Sequence, residues 1–432
     1  MNIPSSNQPR VVIIGGGFGG ISLARKLLNK EVQVVLIDKR NFHTFQPLLY
    51  QVSTSGLEPD SIAFPLRKFL NKSNNGYFRM AEVEKINAED QTIHTNIGSL
   101  SYDYLVIATG SKTNFFGNEN IENYAVWMKT IPQALNLRSL IFENLEQASI
   151  TEDQSQRKCL LTFVIAGAGP TGVELSGAIA ELRNHIIKKD YKDFDTQEID
   201  IHLIEGADRV LPSMSEKSSK DAQQYLEKMG VHVKLNTFVK DYDGKKVITS
   251  DEEVFETENF VWSAGVHGAP IAGLNASSLL KKPNRYAVNQ FNQIDGYSNI
   301  FAIGDIALMK TEDYPDGHPM VAQPAIQQGK HLAKNILAMI KGKAPEAFKY
   351  FDKGSMATIG RNKAVVDIGK FQTGGFVAWY IWMFVHLWFL IGIKNRLVTF
   401  LNWVYNYINY DKSERLIMRP FKRNRAILAD ED

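Results

Sequence analysis

The sequence predicts an α/β fold: two Rossmann-type parallel-sheet domains, the first interrupted by the second, and a C-terminal amphipathic helical region. Three observations predict it. The runs "RVVIIGGGFGGISLARKL" and "FVIAGAGPTGVELSGAIAEL" both read as strand, glycine turn and helix. Each is followed by an apolar run that ends on an acid, Asp38 and Glu205. The stretch from Phe376 to Tyr410 is unlike anything before it and holds four of the six tryptophans.

At 432 residues the chain is too long for one compact core, and two or three domains are expected. A net charge of +2 gives no global pull toward nucleic acid, and none is expected as a partner. The single cysteine, Cys159, excludes a disulfide framework, a four-cysteine metal site and a dithiol redox pair within one chain. No metal site is expected. Met1 to Arg10 is polar and a strand-like run starts at Val11, so no signal peptide is expected.

In the first unit Gly15, Gly17 and Gly20 stand at the G-x-G-x-x-G spacing. The first allows a tight turn, the second lets backbone approach a pyrophosphate, and the third lets the helix pack close to the strand. The helix start offers free N–H groups to phosphates. The strand "QVVLID" ends at Asp38, at the distance expected of a carboxylate that holds ribose hydroxyls. Phe18, Gly19 and Lys39 belong to the same expected cradle.

Gly167, Gly169 and Gly172 repeat the spacing, with Pro170 and Thr171 between them and Glu205 ending the next strand. The longer gap to that acid is explained by an insertion, "KKDYKDFDTQE". An acid there binds a 2′-hydroxyl and disfavours a 2′-phosphate, which points to NADH over NADPH, although Arg209 nearby weakens the inference. Two dinucleotide-binding domains in one chain suggest FAD and NADH, because hydride must pass from one ring to the other.

Further motifs resemble the two-dinucleotide-binding flavoprotein reductases. "YDYLVIATGS", with Ala108, Thr109 and Gly110, resembles the strand and turn that close their flavin domain. "FVWSAGVHG", with Ala264 and Gly265, resembles the nicotinamide counterpart. "NIFAIGDIA", with Gly304 and Asp305, resembles their FAD-contacting motif, and the resemblance implies that Asp305 binds the ribityl chain.

Narrower features resemble the type II NADH:quinone oxidoreductases, single-subunit NADH dehydrogenases that pump no protons. They are "NFHTFQPLLYQVSTSGLEPDSIAFPLR", the aromatic stretch, and "VAQPAIQQG", which fits the pattern A-Q-x-A-x-Q at Ala322, Gln323, Ala325 and Gln327. The resemblance covers nearly the whole chain. It implies FAD contacts from Gln46, Ala322 and Gln323, and a membrane quinone, menaquinone or ubiquinone, as acceptor. It also implies a homodimer paired through C-terminal parts, on the cytoplasmic face of the inner membrane. Thioredoxin-type, lipoamide-type and sulfide:quinone reductases need cysteines that this chain lacks.

The same resemblance implies four residues for the chemistry. Glu174 faces the nicotinamide–flavin junction, where it orients the carboxamide or passes protons; the alternative is a first-turn Glu that complements the helix dipole. Gln323 and Gln327 are four apart, share a helix face and contact the quinone; the alternative is capping and packing. Lys394 lies near the quinone mouth; the alternative is a snorkelling lysine at a membrane interface. His43 is a weaker candidate for proton donor. Hydride transfer itself needs only distance and orientation from the protein.

From Phe376 to Ile393 only His386 is titratable, giving a predicted helix of about 27 Å, near the lower limit for spanning a bilayer. After it, Asn395, Thr399, Asn402, Asn406 and Asn409 form a polar stripe, and Leu397, Phe400, Leu401, Val404 and Ile408 fill the remaining surface. Asp411 to Arg425 carries six Lys/Arg against two Asp/Glu, suited to anionic head groups. A span, a dimer interface and a platform dipping into one leaflet are all open; the striped second half favours the platform. Expected boundaries are 1–115 with 285–342 for FAD, 116–284 for NADH, and 343–432 for membrane association and dimerisation. "MATIGRNKAVVDIGKFQTGG" reads as two short strands ended by Gly374 and Gly375. The alternative function is an NADH-binding flavoprotein acting mainly through protein partners, as apoptosis-inducing-factor relatives do.

Overall fold

A computed structural model describes residues 1–71, 73–280, 282–412 and 414–418. The chain divides into two compact units. One comprises Met1–Thr44, Ala63–Lys112 and Val266–Asp352; the other comprises Phe45–Ile62, Thr113–Gly265 and the chain from Lys353 on. The helices that position the functional residues are α1 (Phe18–Leu27), α2 (Pro170–Glu181), α3 (Ala322–Ile340), α4 (Gly375–Phe389) and α5 (Ile393–Asn409).

The first unit is built on a five-stranded parallel sheet. Its order is Ile300–Ala302, Tyr104–Ile107, Arg10–Ile14, Gln33–Asp38, Gly76–Met80. Within the central strands Val11–Ile14 and Val34–Ile37 are buried apolar runs, as parallel strands covered on both faces must be. Arg10–Ile14 has Gln33–Asp38 on one side and Tyr104–Ile107 on the other. Its C-terminal end is therefore a topological switch point, and the Gly15 turn starts there. Helices α1 and α3 cross closely: a Cβ on Gly329 would lie 2.4 Å from the Gly19 carbonyl oxygen.

The second unit repeats the plan with Val126–Trp127, Asn259–Trp262, Thr162–Ala166, Asp200–Ile204 and His232–Lys234. Its switch point follows Thr162–Ala166, where Gly167 turns the chain into α2. Against α2 lies an antiparallel sheet of Ser355–Gly360, Lys363–Ile368 and Phe371–Gly374. The sequence predicted two strands here and the structure has three. Asn362 (φ 60°) and Gly369 (φ 56°) each reverse the chain tightly enough for Phe371–Gly374 to pair as well.

The apolar run from Phe376 to Ile393, expected as one helix, is not one. Helix α4 ends at Phe389, and Gly392 at φ 94° starts a second helix. Fifteen residues reach only about 22 Å, and no described helix is long and apolar enough to cross a membrane. The break is sealed by Arg396, whose guanidinium donates to the carbonyls of Leu390 (2.7 Å) and Trp388 (2.8 Å). Lys394 consequently sits in the first turn of α5 and not at the end of α4. The part of the basic tail beyond Met418 lies outside the described residues.

The polar stripe of α5 faces the protein. Asn395 donates to the Asp60 carbonyl (3.1 Å), Asn402 to the Glu58 carboxylate (2.6 Å) and Asn406 to the Gly56 carbonyl (3.1 Å). Thr399 is fully buried, and Asn409 is the exposed member of the stripe. The outer face carries Leu397, Phe400, Leu401, Val404 and Ile408, all exposed, beside the exposed Phe384 and Trp388 of α4. The C-terminal end of α5 is pinned by Arg361, whose guanidinium stacks on Tyr407 (3.8 Å) and Tyr410 (4.0 Å).

In the second unit α2 packs tightly against Ser355–Gly360, where a Cβ on Gly177 would lie 1.8 Å from the Ile359 carbonyl oxygen. Gly177→Ala is expected to force the strand away from the helix and cost about 1–3 kcal/mol. Urea unfolding measures it, and an unchanged midpoint would contradict this packing.

Candidate functional site

In the first unit the glycine turn forms an open cradle. Gly15 adopts φ 107°, with the Ala108 carbonyl 2.3 Å from where a Cβ would stand. A Cβ on Gly20 would lie 1.9 Å from the Gly15 carbonyl, so the third glycine is required by the helix itself. Over Gly17, the N-cap of α1, a Cβ would meet nothing within 4 Å. That open space above free helix N–H groups fits a pyrophosphate. Asp38 locks the turn: its carboxylate accepts from the Gly16 N–H (2.5 Å) and the Arg40 N–H (2.8 Å). Burial raises its pKa against the lowering effect of those two bonds.

Around this cradle the unit collects most of the expected FAD residues. Phe18 and Gly19 open α1. Lys39 pairs with Glu82 at 2.8 Å. Thr109, between Ala108 and Gly110, donates to the Ala269 carbonyl (2.7 Å). Asp305 follows Gly304 (φ 75°) and accepts from the Ser111 hydroxyl (2.6 Å). Ala322 and Gln323 start α3. Gln46 belongs to the other unit, where its amide donates to the Lys129 carbonyl (3.4 Å). His43 is buried with Nδ1 on the Gly16 carbonyl (3.0 Å); burial drops its pKa to about 4, so the ring is neutral.

The second cradle has the same geometry. Gly167 adopts φ 97°, a Cβ on Gly172 would lie 1.9 Å from the Gly167 carbonyl, and the space over Gly169 is open. Pro170 and Thr171 form the first turn of α2. Glu205 accepts from the Ala168 N–H (2.6 Å) and the Ala207 N–H (2.9 Å), as Asp38 does in the first cradle. Ala264 and Gly265 close the side: a Cβ on Gly167 would lie 2.8 Å from Ala264 Cα. Arg209 donates to the Pro212 carbonyl (3.1 Å) and pairs with Glu216 (3.8 Å). Both cradles therefore fit a dinucleotide on their own geometry.

On α3, Gln327 exchanges two hydrogen bonds with the Phe351 backbone, donating at 2.8 Å and accepting at 3.0 Å. Gln323 is half-buried one turn earlier. The sequence reading missed Gln328, which is 1% exposed and accepts from the Gly304 N–H (2.7 Å), fixing the turn that carries Asp305. Its spacing from Ala325 and Leu332 placed it on the buried face, which was the available signal.

A cavity of about 120 Å³ lies within the second unit, lined by Tyr50, Gln51, Glu174, Trp382, Trp403 and Tyr407 among others. Glu174 faces this space. The residue is 8% exposed and its carboxyl is pushed up to about 8, because desolvation outweighs a long bond from the Thr358 N–H (3.5 Å). The indole N–H of Trp382 is near enough to favour the carboxylate slightly, yet it makes no geometrically sound hydrogen bond and is left buried without a partner. Lys394 is exposed at the start of α5 and does not line the cavity. No group of His, Cys, Asp and Glu among the described residues could hold a metal. The sequence had marked the aromatic stretch that supplies Trp382, Trp403 and Tyr407 to this wall, but none of the three singly, and it gave no sign that Tyr50 and Gln51 meet them.

Residues 9–329 match the pyridine nucleotide-disulphide oxidoreductase family, and residues 353–409 match the NDH2 C-terminal domain. The chain is 38% identical to Ndh, a type II NADH:quinone oxidoreductase of Mycobacterium tuberculosis, over 98% of this chain and 94% of that one. It is 36% identical to NdhA of the same organism, also a type II NADH:quinone oxidoreductase, over 94% and 89%. Its fold is similar to that of NDH2 from Plasmodium falciparum, solved in complex with NADH. That match has a TM-score of 0.87 at 22% identity and covers 96% of this chain and 100% of the other.

The Glu174 shift has a consequence for stability. A carboxyl raised from 4.5 to about 8 in the fold stabilises the folded state fully below pH 4.5. That contribution is lost as pH rises toward 8. Glu174→Gln removes the proton linkage, so the variant is expected to match the parent near pH 4 and to exceed its stability at pH 9. Chemical unfolding at both pH values measures this; parallel curves would contradict a buried, protonated Glu174.

Proposed function

The chain belongs to the type II NADH:quinone oxidoreductase family, and on that premise we propose that it carries two electrons from NADH through FAD to a membrane quinone without pumping protons. The observation that carries this reading is the pair of open glycine cradles, each with its acid on the loop backbone, in a chain with no cysteine pair. When bound, FAD accepts hydride from NADH and delivers electrons to the quinone. The alternative, a flavoprotein acting mainly through protein partners, loses ground to relatives named as oxidoreductases over 98% and 94% of the chain.

The residue roles follow the expected division: 1–115 with 285–342 for FAD, 116–284 for NADH, and 343–432 for membrane and partner copy. Asp38 and Glu205 keep acceptor capacity for ribose hydroxyls while locking their turns. Gly17 and Gly169 admit the pyrophosphates. Gln323 donates to a quinone carbonyl, and Gln327 shapes the same face through its bonds to Phe351. Glu174, protonated near neutral pH, serves the quinone as donor or proton source. Lys394 marks the mouth where the ring enters from lipid. Menaquinone and ubiquinone both fit this chemistry.

The apolar outer faces of α4 and α5 form the seat on one leaflet, at the cytoplasmic face of the inner membrane, and a second copy pairs through the same C-terminal region. Support comes from the side chains left outside: Phe384 at 67%, Trp388 at 64% and Ile408 at 70% exposure on short helices that cannot span.

Purified protein is expected to be yellow and to oxidise NADH at a sustained rate only when a short-chain quinone is supplied; no turnover with any quinone would sink the reading. In Gln323→Ala, stopped-flow is expected to show normal flavin reduction and reoxidation by quinone slowed roughly tenfold, the cost of one hydrogen bond. If both half-reactions fall together, the residue supports the flavin. Leu401→Glu is expected to weaken vesicle binding by about ten- to a hundredfold with an unchanged unfolding midpoint. Full sedimentation of the variant with vesicles would contradict the seat.

A further inference from the structure

The cavity wall contains a chain of hydrogen bonds with only one possible direction. Trp403 Nε1 lies 2.7 Å from Gln51 Oε1, and Gln51 Nε2 lies 2.8 Å from the Tyr50 hydroxyl oxygen. An indole N–H can only donate, so the Gln51 atom facing it must be the amide oxygen. The amide NH2 then faces Tyr50, and the tyrosine oxygen accepts. One phenolic proton remains, and no protein acceptor takes it among the described residues. Glu174 is close enough to act on Tyr50 electrostatically but makes no hydrogen bond with it. Burial first, and Glu174 second, push the phenol well above its ordinary value, so it keeps its proton throughout the working range. Tyr50 is 6% exposed and lines the cavity with Gln51, Glu174 and Trp403.

We propose that Tyr50 is a hydrogen-bond donor of fixed direction to a carbonyl oxygen of the quinone, and that Trp403 sets that direction through Gln51. The proposal rests on the quinone reading above and adds to it a donor and its positioning residues. A buried phenol with a free proton has an unmet bond until a ligand carbonyl arrives. The quinone ring gains one directed contact, and its apolar face packs on the indoles of Trp382 and Trp403. Without the Trp403 N–H, Gln51 is free to turn its oxygen toward Tyr50 and take the same proton. The membrane-facing helix therefore decides whether the donor is available.

The test uses the full-length, FAD-loaded enzyme and a short-chain ubiquinone, with flavin reduction by NADH as the control for fold. Tyr50→Phe is expected to raise the quinone KM about five- to tenfold, the loss of one hydrogen bond from a neutral donor. Trp403→Phe keeps the ring and leaves Tyr50 in place, so it probes the same bond independently. It is expected to raise the KM in the same direction. Adding Gln51→Leu to Trp403→Phe removes the competing acceptor and is expected to restore the KM toward the parent value. A purely structural role for Trp403 predicts further loss instead. A parental KM in Tyr50→Phe overturns the donor, and failure of rescue overturns the relay. Absence of quinone reduction by the parent enzyme overturns the quinone reading itself.

Discussion

The orientation of α5 constrains everything near the cavity. Asn395, Asn402, Trp403 and Asn406 each form a hydrogen bond to the 51–60 segment, so the helix cannot roll. Each bond contributes about 1 kcal/mol. The roll they prevent would bury Leu397, Phe400, Leu401, Val404 and Ile408, which stand about half out of the protein and together forgo on the order of 5 kcal/mol in water. The four polar bonds, about 4 kcal/mol in all, only about match that sum. The arrangement makes energetic sense when the outside is not water, and this is the physical ground of the proposed seat on one leaflet. The same bonds hold Tyr50 and Gln51 in the cavity wall. On that proposal, the surface that meets lipid and the wall that meets the acceptor are two sides of one helix.

The two nucleotide cradles show a second constraint, repeated within one chain. In each, the third glycine of the motif lies against the carbonyl of the first, with room for no Cβ. In each, the acid at the end of the next strand accepts the N–H one residue after the first glycine. The acid therefore has two roles. It fixes the turn through backbone N–H groups, and its remaining lone pairs are the ones proposed to accept from ribose. One cradle uses Asp and the other Glu; both reach the backbone, so the extra methylene is absorbed by the loop.

These constraints separate what was legible in the sequence from what was not. The glycine motifs were legible because the close approach they serve is between residues five apart in the chain, and the acids because strand length fixes their distance. The break between α4 and α5 was hidden, because Gly392 lies within a run whose apolarity continues across it and nothing in composition announces its positive φ. The stripe of asparagines could be seen, but periodicity names a face and not the neighbour it meets. That neighbour is a loop more than 300 residues earlier. Gln328 and Gln327 look alike in sequence, yet one fixes the Gly304 turn and the other the Phe351 backbone. The aromatic cavity draws on residues near 50, 174, 358, 380 and 403, and no local pattern can announce a wall assembled from five places.

Direction is what the tryptophan adds to that wall. Most side-chain networks can reverse: a hydroxyl or amide donates in one state and accepts in another, and a ligand meets whichever is convenient. A network that begins at an indole cannot, because the first group has a proton and no lone pair to offer. The amide of Gln51 is then fixed, and the phenol of Tyr50 inherits a single sense. Replacing Trp403 by tyrosine or histidine would keep an aromatic, polar side chain and lose that property, since both can accept. An oxidised quinone presents acceptors only, whereas a quinol also presents donors. A wall whose hydroxyl has been made a donor therefore discriminates between substrate and product, holding the first by a bond that the second must satisfy with its own remaining lone pair. In the proposed cycle this favours arrival over retention. The group that sets the preference belongs to the helix whose other side is proposed to rest on lipid.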